Sequence, residues 1–220
     1  ISSSTEFMKT SIRQCHSSIN QIAKITKQKS SESFIVKIDE AIDDLIEVIS
    51  NFEYLDEVHL FSIAGVSSEV INLTKNLLNI FNQAFSDFSG HKEHWEDYSK
   101  SNNIEQSTTD NLNNIIGQNN QNLSSILSLL NTFSQGYNAE EPPASNWIEK
   151  SKLANKKTNY HLNTAKIDVS SFLDNLIWSK SAGVILTSAT LTALGSFERL
   201  NQQLGLKSNE NQYLRLASHF

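Results

Sequence analysis

Apolar residues recur every three or four positions along most of the first 135 residues, a spacing that places them on one face of a helix. Four segments carry this pattern, and we predict a long helix for each. The first covers residues 9–30, and the second begins at a cap on Ser31 or Ser33 and runs to Ile49. The third covers about 67–88 and the fourth about 104–133. Such helices are expected to pack as an antiparallel bundle, so the fold class is predicted as mainly α.

The helical pattern stops at residues 135–146, which contain Gly136 and the only two prolines of the chain, Pro142 and Pro143. Glycine and proline are the strongest local breakers of regular structure, so we predict the main domain boundary here. Residues 147–153 and 159–169 follow. They are predicted as two strands joined by the polar residues 154–157.

A short apolar run, Val184 to Leu186, is predicted as a buried strand of an α/β sheet. It continues into the small and hydroxyl residues Thr187, Ser188, Ala189 and Thr190, at the end of the strand where open α/β sheets bind ligands. An ordinary strand followed by a polar turn explains the same residues. Amphipathic helices are predicted on both sides, over 171–178 and from a cap at Ser196 to Gly205.

Residues 171–220 resemble the DinG-type, XPD-like branch of superfamily 2 DNA helicases. The shared order is a helix ending in Leu-Ile-Trp, the Val-Ile-Leu strand, Thr-Ser-Ala-Thr-Leu, Ser-Phe-Glu-Arg-Leu and Gly-Leu, although His219 stands where that family usually has proline. The resemblance implies a helical arch-type bundle over 9–145. It also implies that 146–216 form an α/β segment of the first RecA-like helicase domain and that 217–220 begin the connection to the second.

The same resemblance implies a 5′-to-3′ ATP-dependent DNA helicase of DNA repair, acting on single-stranded or forked DNA in the cytoplasm. Thr187, Ser188, Ala189 and Thr190 would be motif III, which couples the ATP state to DNA movement, and the arch would help enclose the single strand. The family also uses ATP, magnesium and a 4Fe-4S cluster. Because this sequence has no G-x-x-x-x-G-K-[ST] phosphate loop, we expect an internal fragment that cannot hydrolyse ATP by itself.

A stand-alone helical adaptor that binds a protein partner through apolar helix faces is the alternative function. Residues 9–135 permit it, whereas 183–217 would have no purpose in an adaptor. Residues 1–8 are set apart as an expression remnant, since Ile1 to Phe7 precede Met8 and Glu6-Phe7 resembles a cloning scar. No apolar run approaches 18 residues, so no membrane span is predicted, and the lone Cys15 excludes an internal disulfide.

Four clusters could carry further chemistry. The basic residues Lys150, Lys152, Lys156 and Lys157 lie close to Tyr160, and lysines beside an aromatic ring can line a single-strand path or can simply be a solvated hairpin. The sequence Asp56-Glu57-Val58-His59 imitates a helicase magnesium site but lacks a preceding apolar strand. The pairs His91/His94 and Cys15/His16 are interpreted as ordinary helix residues, because neither has the spacing of a metal site or a catalytic dyad.

Overall fold

The structure, a computed structural model, describes residues 1–29, 33–62, 65–135, 144–188, 191, 196–206 and 211–215. The chain divides into two compact units. We call residues 1–139 and 145–165 the bundle unit, and 140–144 and 166–220 the C-terminal unit. Among the described residues, no helix combines the length and the apolar character that crossing a membrane requires.

Four long helices dominate the bundle unit, as the apolar spacing predicts. They are α1 (Thr5–Thr26), α2 (Ile35–Ser50), α3 (Ser68–Ser101) and α4 (Gln106–Ser134). The hydroxyl of Ser4 caps α1 by accepting from the backbone N–H of Phe7, and Ser67 caps α3 in the same way. Residues set apart as a remnant therefore take part in the fold.

Helix α3 extends thirteen residues beyond its predicted end at Phe88, up to Ser101. Gly90 lies inside this extension, where a Cβ would meet nothing within 4 Å, so packing does not require glycine at this position. Trp95 anchors the added turns: its side chain is fully buried, and its indole Nε1 donates to Asn113 Oδ1 of α4 across 2.9 Å. Tertiary packing thus continues a helix whose local apolar pattern is weak.

A single hydrophobic core fills the bundle unit, and all four long helices contribute to it. Its largest fully buried side chains include Trp95, Phe81, Phe88, Phe133 and Met8. Ion pairs on the surface join α1 to α2, from Lys9 to Asp43 and from Arg13 to Asp39. The mainly α fold predicted from the sequence is confirmed.

A four-stranded antiparallel sheet completes the bundle unit. Its strands are β1 (Ser2–Ser4), β2 (Val58–Leu60), β3 (Ala144–Lys152) and β4 (Thr158–Lys166), and their order in the sheet is β1-β4-β3-β2. Ile148, Tyr160 and Leu162 join the helical core from this sheet. Because these side chains are buried with the helices, the hairpin of β3 and β4 belongs almost entirely to the bundle unit, which ends at residue 165.

The C-terminal unit contains α5 (Ser170–Leu176), a short 3-10 turn (Trp178–Lys180) and α6 (Glu198–Leu204). The indole Nε1 of Trp178 donates to the Leu204 carbonyl across 2.7 Å, which holds the turn against the end of α6. The Ser196 hydroxyl accepts from the Glu198 N–H, and Gly205 ends α6 with a φ of +67°. The predicted end of this helix at Gly205 is confirmed, whereas its N-cap is Phe197, one residue after the predicted cap.

The strand predicted at Val184–Leu186 does not form. Residues 183–188 have no regular secondary structure, and Val184, Ile185 and Leu186 are 47%, 90% and 41% exposed. A strand requires neighbours that pair with its backbone N–H and C=O groups. The described part of the C-terminal unit supplies none, since the residues of the one described sheet belong almost entirely to the bundle unit.

Candidate nucleic-acid interface

Three lysines gather where the hairpin of β3 and β4 turns. Lys152 ends β3, and Lys156 and Lys157 lie in the turn; all three are exposed. The turn is held by hydrogen bonds from Leu153 N to the Lys157 carbonyl, at 2.9 Å, and from Lys156 N to the Leu153 carbonyl, at 2.8 Å. Three ammonium groups on a fixed turn form a surface suited to phosphate oxygens. We call these residues the hairpin lysines.

Lys150 differs from the hairpin lysines because it packs on tyrosine rings. Its Nζ lies 3.5 Å from the ring centroid of Tyr54 and 5.9 Å from that of Tyr160. A cation at the shorter distance is held by the ring quadrupole. Burial raises the pKa of the Tyr54 hydroxyl, and the nearby Tyr160 raises it further. Lys150 therefore connects β3 to the segment before β2.

The structure also contradicts the predicted stacking role of Tyr160. Only 6% of Tyr160 is exposed, and the residue belongs to the hydrophobic core. Burial raises the pKa of its hydroxyl. A base can stack only on an accessible ring face, so Tyr160 supports the hairpin from below instead of contacting a ligand.

An aromatic cluster that the sequence analysis did not identify supports the other edge of the hairpin. Phe52 and Phe61 flank the ring of His59, with centroid distances of 4.6 and 4.9 Å, and Phe61 meets Phe133 of α4 at 6.2 Å. His59 also pairs with Ile148 across β2 and β3. The density of aromatic residues between 52 and 61 is the signal that could have indicated this cluster.

Asp56 and Glu57 occupy the two central positions of a tight turn and not the end of a buried strand. Their φ angles are +49° and +66°, and Leu55 and Val58 exchange two backbone hydrogen bonds of 2.9 Å around them. Positive φ at both central residues is the geometry of a hairpin turn. Both acidic residues are exposed. Within the described part of the chain, no three His, Cys, Asp or Glu side chains are arranged to hold a metal ion.

The two remaining candidate pairs, His91/His94 and Cys15/His16, lie within helices α3 and α1. His91 Nε2 lies 4.0 Å from Asp87 Oδ1 one turn earlier in α3, and the His94 ring lies beside Tyr98 at 6.3 Å. Cys15 is 1% exposed, and burial, followed by the charge of Asp87, raises the pKa of its thiol to about 12. A thiol that is buried and protonated is a poor nucleophile.

A polar network attaches β4 to the first turn of α1. Asn159 Oδ1 accepts from the Thr5 hydroxyl at 3.0 Å and from the Glu6 N–H at 3.2 Å. On the neighbouring strand, Ser151 Oγ lies 2.8 Å from His161 Nε2. These bonds fix the base of the hairpin on the bundle, so the hairpin lysines project from a supported element.

The motif III candidates lie in the other compact unit. Thr187 and Ser188 are exposed and follow the irregular run that begins at Gly183. Ala189 and Thr190 lie outside the described residues. The motif III candidates and the hairpin lysines are therefore parts of different units.

Comparison with known proteins points to one helicase. Over 79 residues the chain is 38% identical to an ATP-dependent DNA helicase DinG from Photobacterium profundum. The matched stretch covers 36% of this chain and 11% of that protein, so the chain spans only a small part of the length of its relative. No family model matches the chain. The chain is thus similar, over about a third of its length, to a DinG helicase.

Proposed function

We propose that this chain is part of an ATP-dependent 5′-to-3′ DNA helicase of the DinG type, in which the bundle unit is the arch beside the single-strand path. The 38% identity to a DinG helicase over 79 residues supports this proposal. The order of residues from Phe172 to Leu206, which resembles that family, supports it as well. The match does not favour a stand-alone adaptor.

The observation that carries the arch proposal is the pairing of β1 with β4. Ser2 lies opposite Asn163 and Ser4 opposite His161, so the segment that leads into α1 and the strand that leaves the hairpin are neighbours in one sheet. A domain whose ends lie side by side can be inserted into another domain without disturbing it. This is the arrangement that an arch inserted into a motor domain requires.

The hairpin lysines give the arch a contact with the DNA backbone. Lys152, Lys156 and Lys157 carry three positive charges on an exposed turn, in a chain whose formal net charge is −6. Ammonium groups bind phosphate without reading sequence, as a strand that moves through an enzyme requires. Motif III, with Ser188 and Thr190, would pass the nucleotide state to the DNA-binding surface by exchanging hydrogen bonds.

The chain does not hold the cofactors that the family uses. A 4Fe-4S cluster needs four cysteine thiolates, whereas Cys15 is the single cysteine and is buried. ATP and magnesium need a phosphate loop and a carboxylate at the end of a strand, and the sequence lacks the phosphate loop. The nucleotide and metal chemistry of the proposed helicase therefore belongs to other parts of the enzyme.

DNA binding by the 220-residue chain tests the role of the hairpin lysines. Fluorescence anisotropy of a labelled oligo-dT should show binding that weakens with salt. Each phosphate contact contributes about 0.7 to the slope of log affinity against log salt, so the triple variant K152E/K156E/K157E should reduce that slope by about 2. Each single variant of the three lysines is compared with Lys75→Glu, the same charge reversal at an exposed residue of α3. Equal binding by wild type and triple variant would exclude the hairpin as a contact.

A chimera tests the helicase assignment itself. The 79-residue stretch of the Photobacterium profundum DinG helicase is replaced by the matching stretch of this chain. DNA-stimulated ATP hydrolysis and strand unwinding should both persist, because the stretch should supply the same structural part. A Gly-Ser linker of equal length is the control and should abolish unwinding. A chimera that folds but behaves like the linker control would contradict the proposal.

A further inference from the structure

A groove with a volume of about 390 Å³ lies between α1 and the first turns of α4, in the bundle unit. Neither the hairpin lysines nor the motif III candidates line this groove. Its lining residues are Gln21, Lys24 and Ile25 from α1, and Thr108, Asn111 and Leu112 from α4.

The groove offers three kinds of contact in a small space. Leu112 is buried and Ile25 half-buried, which gives the groove an apolar lining. The side-chain amides of Gln21 and Asn111 are exposed, and amides can both donate to and accept from the edge of a nucleobase. The exposed ammonium of Lys24 can contact a phosphate. An apolar surface beside amides and one cation matches a nucleotide better than a lipid or a metal ion.

Basic residues outnumber acidic ones in the part of the sequence that contains α1. Between Glu6 and Asp39 the sequence contains six lysines and arginines and a single carboxylate, Glu32. Lys9 and Arg13 form ion pairs with α2.

The three lysines near the groove are Lys24, Lys27 and Lys29, and none of them forms an ion pair among the described residues. The carboxylates at the start of α4 are engaged locally: Glu105 accepts from Ser107, and Asp110 accepts from Gln106. These two carboxylates keep their negative charge, so Lys24, Lys27 and Lys29 exceed them by one positive charge, although the whole chain is acidic.

We propose that this groove binds one nucleotide of single-stranded DNA, with the base against the half-buried Ile25 and the phosphate at Lys24. The inference rests on the proposed helicase function and adds a second contact to that of the hairpin lysines. A free nucleotide offers the same base and phosphate, so the experiment must separate the two sources.

Photocrosslinking of the 220-residue chain to oligo-dT that carries 5-iododeoxyuridine tests the site, with mass spectrometry of the crosslinked peptides. We expect crosslinks in the segments around residues 21–25 and 108–112. Lys24→Glu should weaken oligo-dT binding about five-fold or more, because it reverses a charge at a phosphate contact. Lys75→Glu should not weaken binding. Trp95 of α3 contacts Asn113, which follows the groove residues of α4, and residue 75 lies twenty residues before Trp95, about 30 Å along the helix.

Further arms separate the possible outcomes. Binding of thymidine monophosphate that Lys24→Glu abolishes, without any oligo-dT crosslink in the groove, would overturn the proposal, because the groove would then hold a free nucleotide only. Crosslinks confined to the hairpin, with no effect of Lys24→Glu, would overturn it and leave the helicase proposal intact. Asn111→Leu, which keeps the charge and a similar volume, should still lower the crosslink yield; an unchanged yield would contradict a base in the groove. Circular dichroism confirms that each variant is folded.

Discussion

One buried hydrogen bond joins α1 to α4 and makes a sharp test of the packing. The Asn119 side-chain amide donates to Ser18 Oγ across 2.6 Å, and each residue is 2% exposed. Ser18 Oγ also donates to the Gln14 carbonyl at 3.0 Å. Loss of Ser18 therefore removes the acceptor of a buried amide, whereas loss of Asn119 leaves Ser18 with a partner.

These contacts predict unequal effects for the two single variants. Ser18→Ala should lower the free energy of unfolding by about 1–3 kcal/mol, the cost of a buried polar group without a partner. Asn119→Leu should cost less than about 1 kcal/mol, because it replaces the amide by an apolar group of similar size. The double variant should be about 1–2 kcal/mol more stable than the sum of the single effects predicts, since it contains no unsatisfied amide.

Urea unfolding followed by circular dichroism at 222 nm measures these free energies, provided that the dependence on urea is the same for all variants. Ser17→Ala, an exposed neighbour on the same helix, is the matched control and should change stability by less than about 0.5 kcal/mol. Strict additivity of the two single variants would show that Ser18 and Asn119 do not interact, and equal single effects would refute the asymmetry.

Three further predictions follow from other contacts. Gly205→Ala should speed hydrogen exchange at the end of α6 about ten-fold, because φ is +67° and a Cβ would lie 2.9 Å from the Ser170 carbonyl oxygen; unchanged exchange would contradict this. Stability should be fully present below pH 9.0 and fall as the pH rises towards about 12, because the Cys15 thiol ionises first in the unfolded chain; Cys15→Ala should flatten the slope. Tyr54 and Tyr160 act in the same direction. The chain alone should not hydrolyse ATP in a phosphate-release assay with single-stranded DNA, and turnover that copurifies with it would refute the assignment.

The sequence alone determined most of the helical unit, because helix formation depends on the spacing of neighbouring residues. Apolar residues three and four positions apart define one face of a helix, whatever that face packs against. Helices α1, α2 and α4 therefore begin and end within a few residues of their predicted bounds. The end of α6 at Gly205 was equally local, since only glycine readily adopts its positive φ. The exposed position of the hairpin lysines followed from a polar turn between two strands.

Only the tertiary structure decided which residues of the candidate interface are accessible. In the sequence, Tyr160 stands beside four lysines, but its strand turns the ring into the core and Lys150 packs over Tyr54. Alternation along a strand defines two faces without stating which one the helices will cover. That choice depends on residues about a hundred positions away.

Pairing between distant segments decided the rest of the fold. Ser2 to Ser4 form a strand because residues 161–163 lie beside them, and no local pattern in three serines indicates this. Val184 to Leu186 have a stronger strand pattern and yet form none among the described residues, where no neighbouring strand accepts them. A strand is stabilised by hydrogen bonds to a partner, so a sequence can predict the tendency while only the assembled structure supplies the partner.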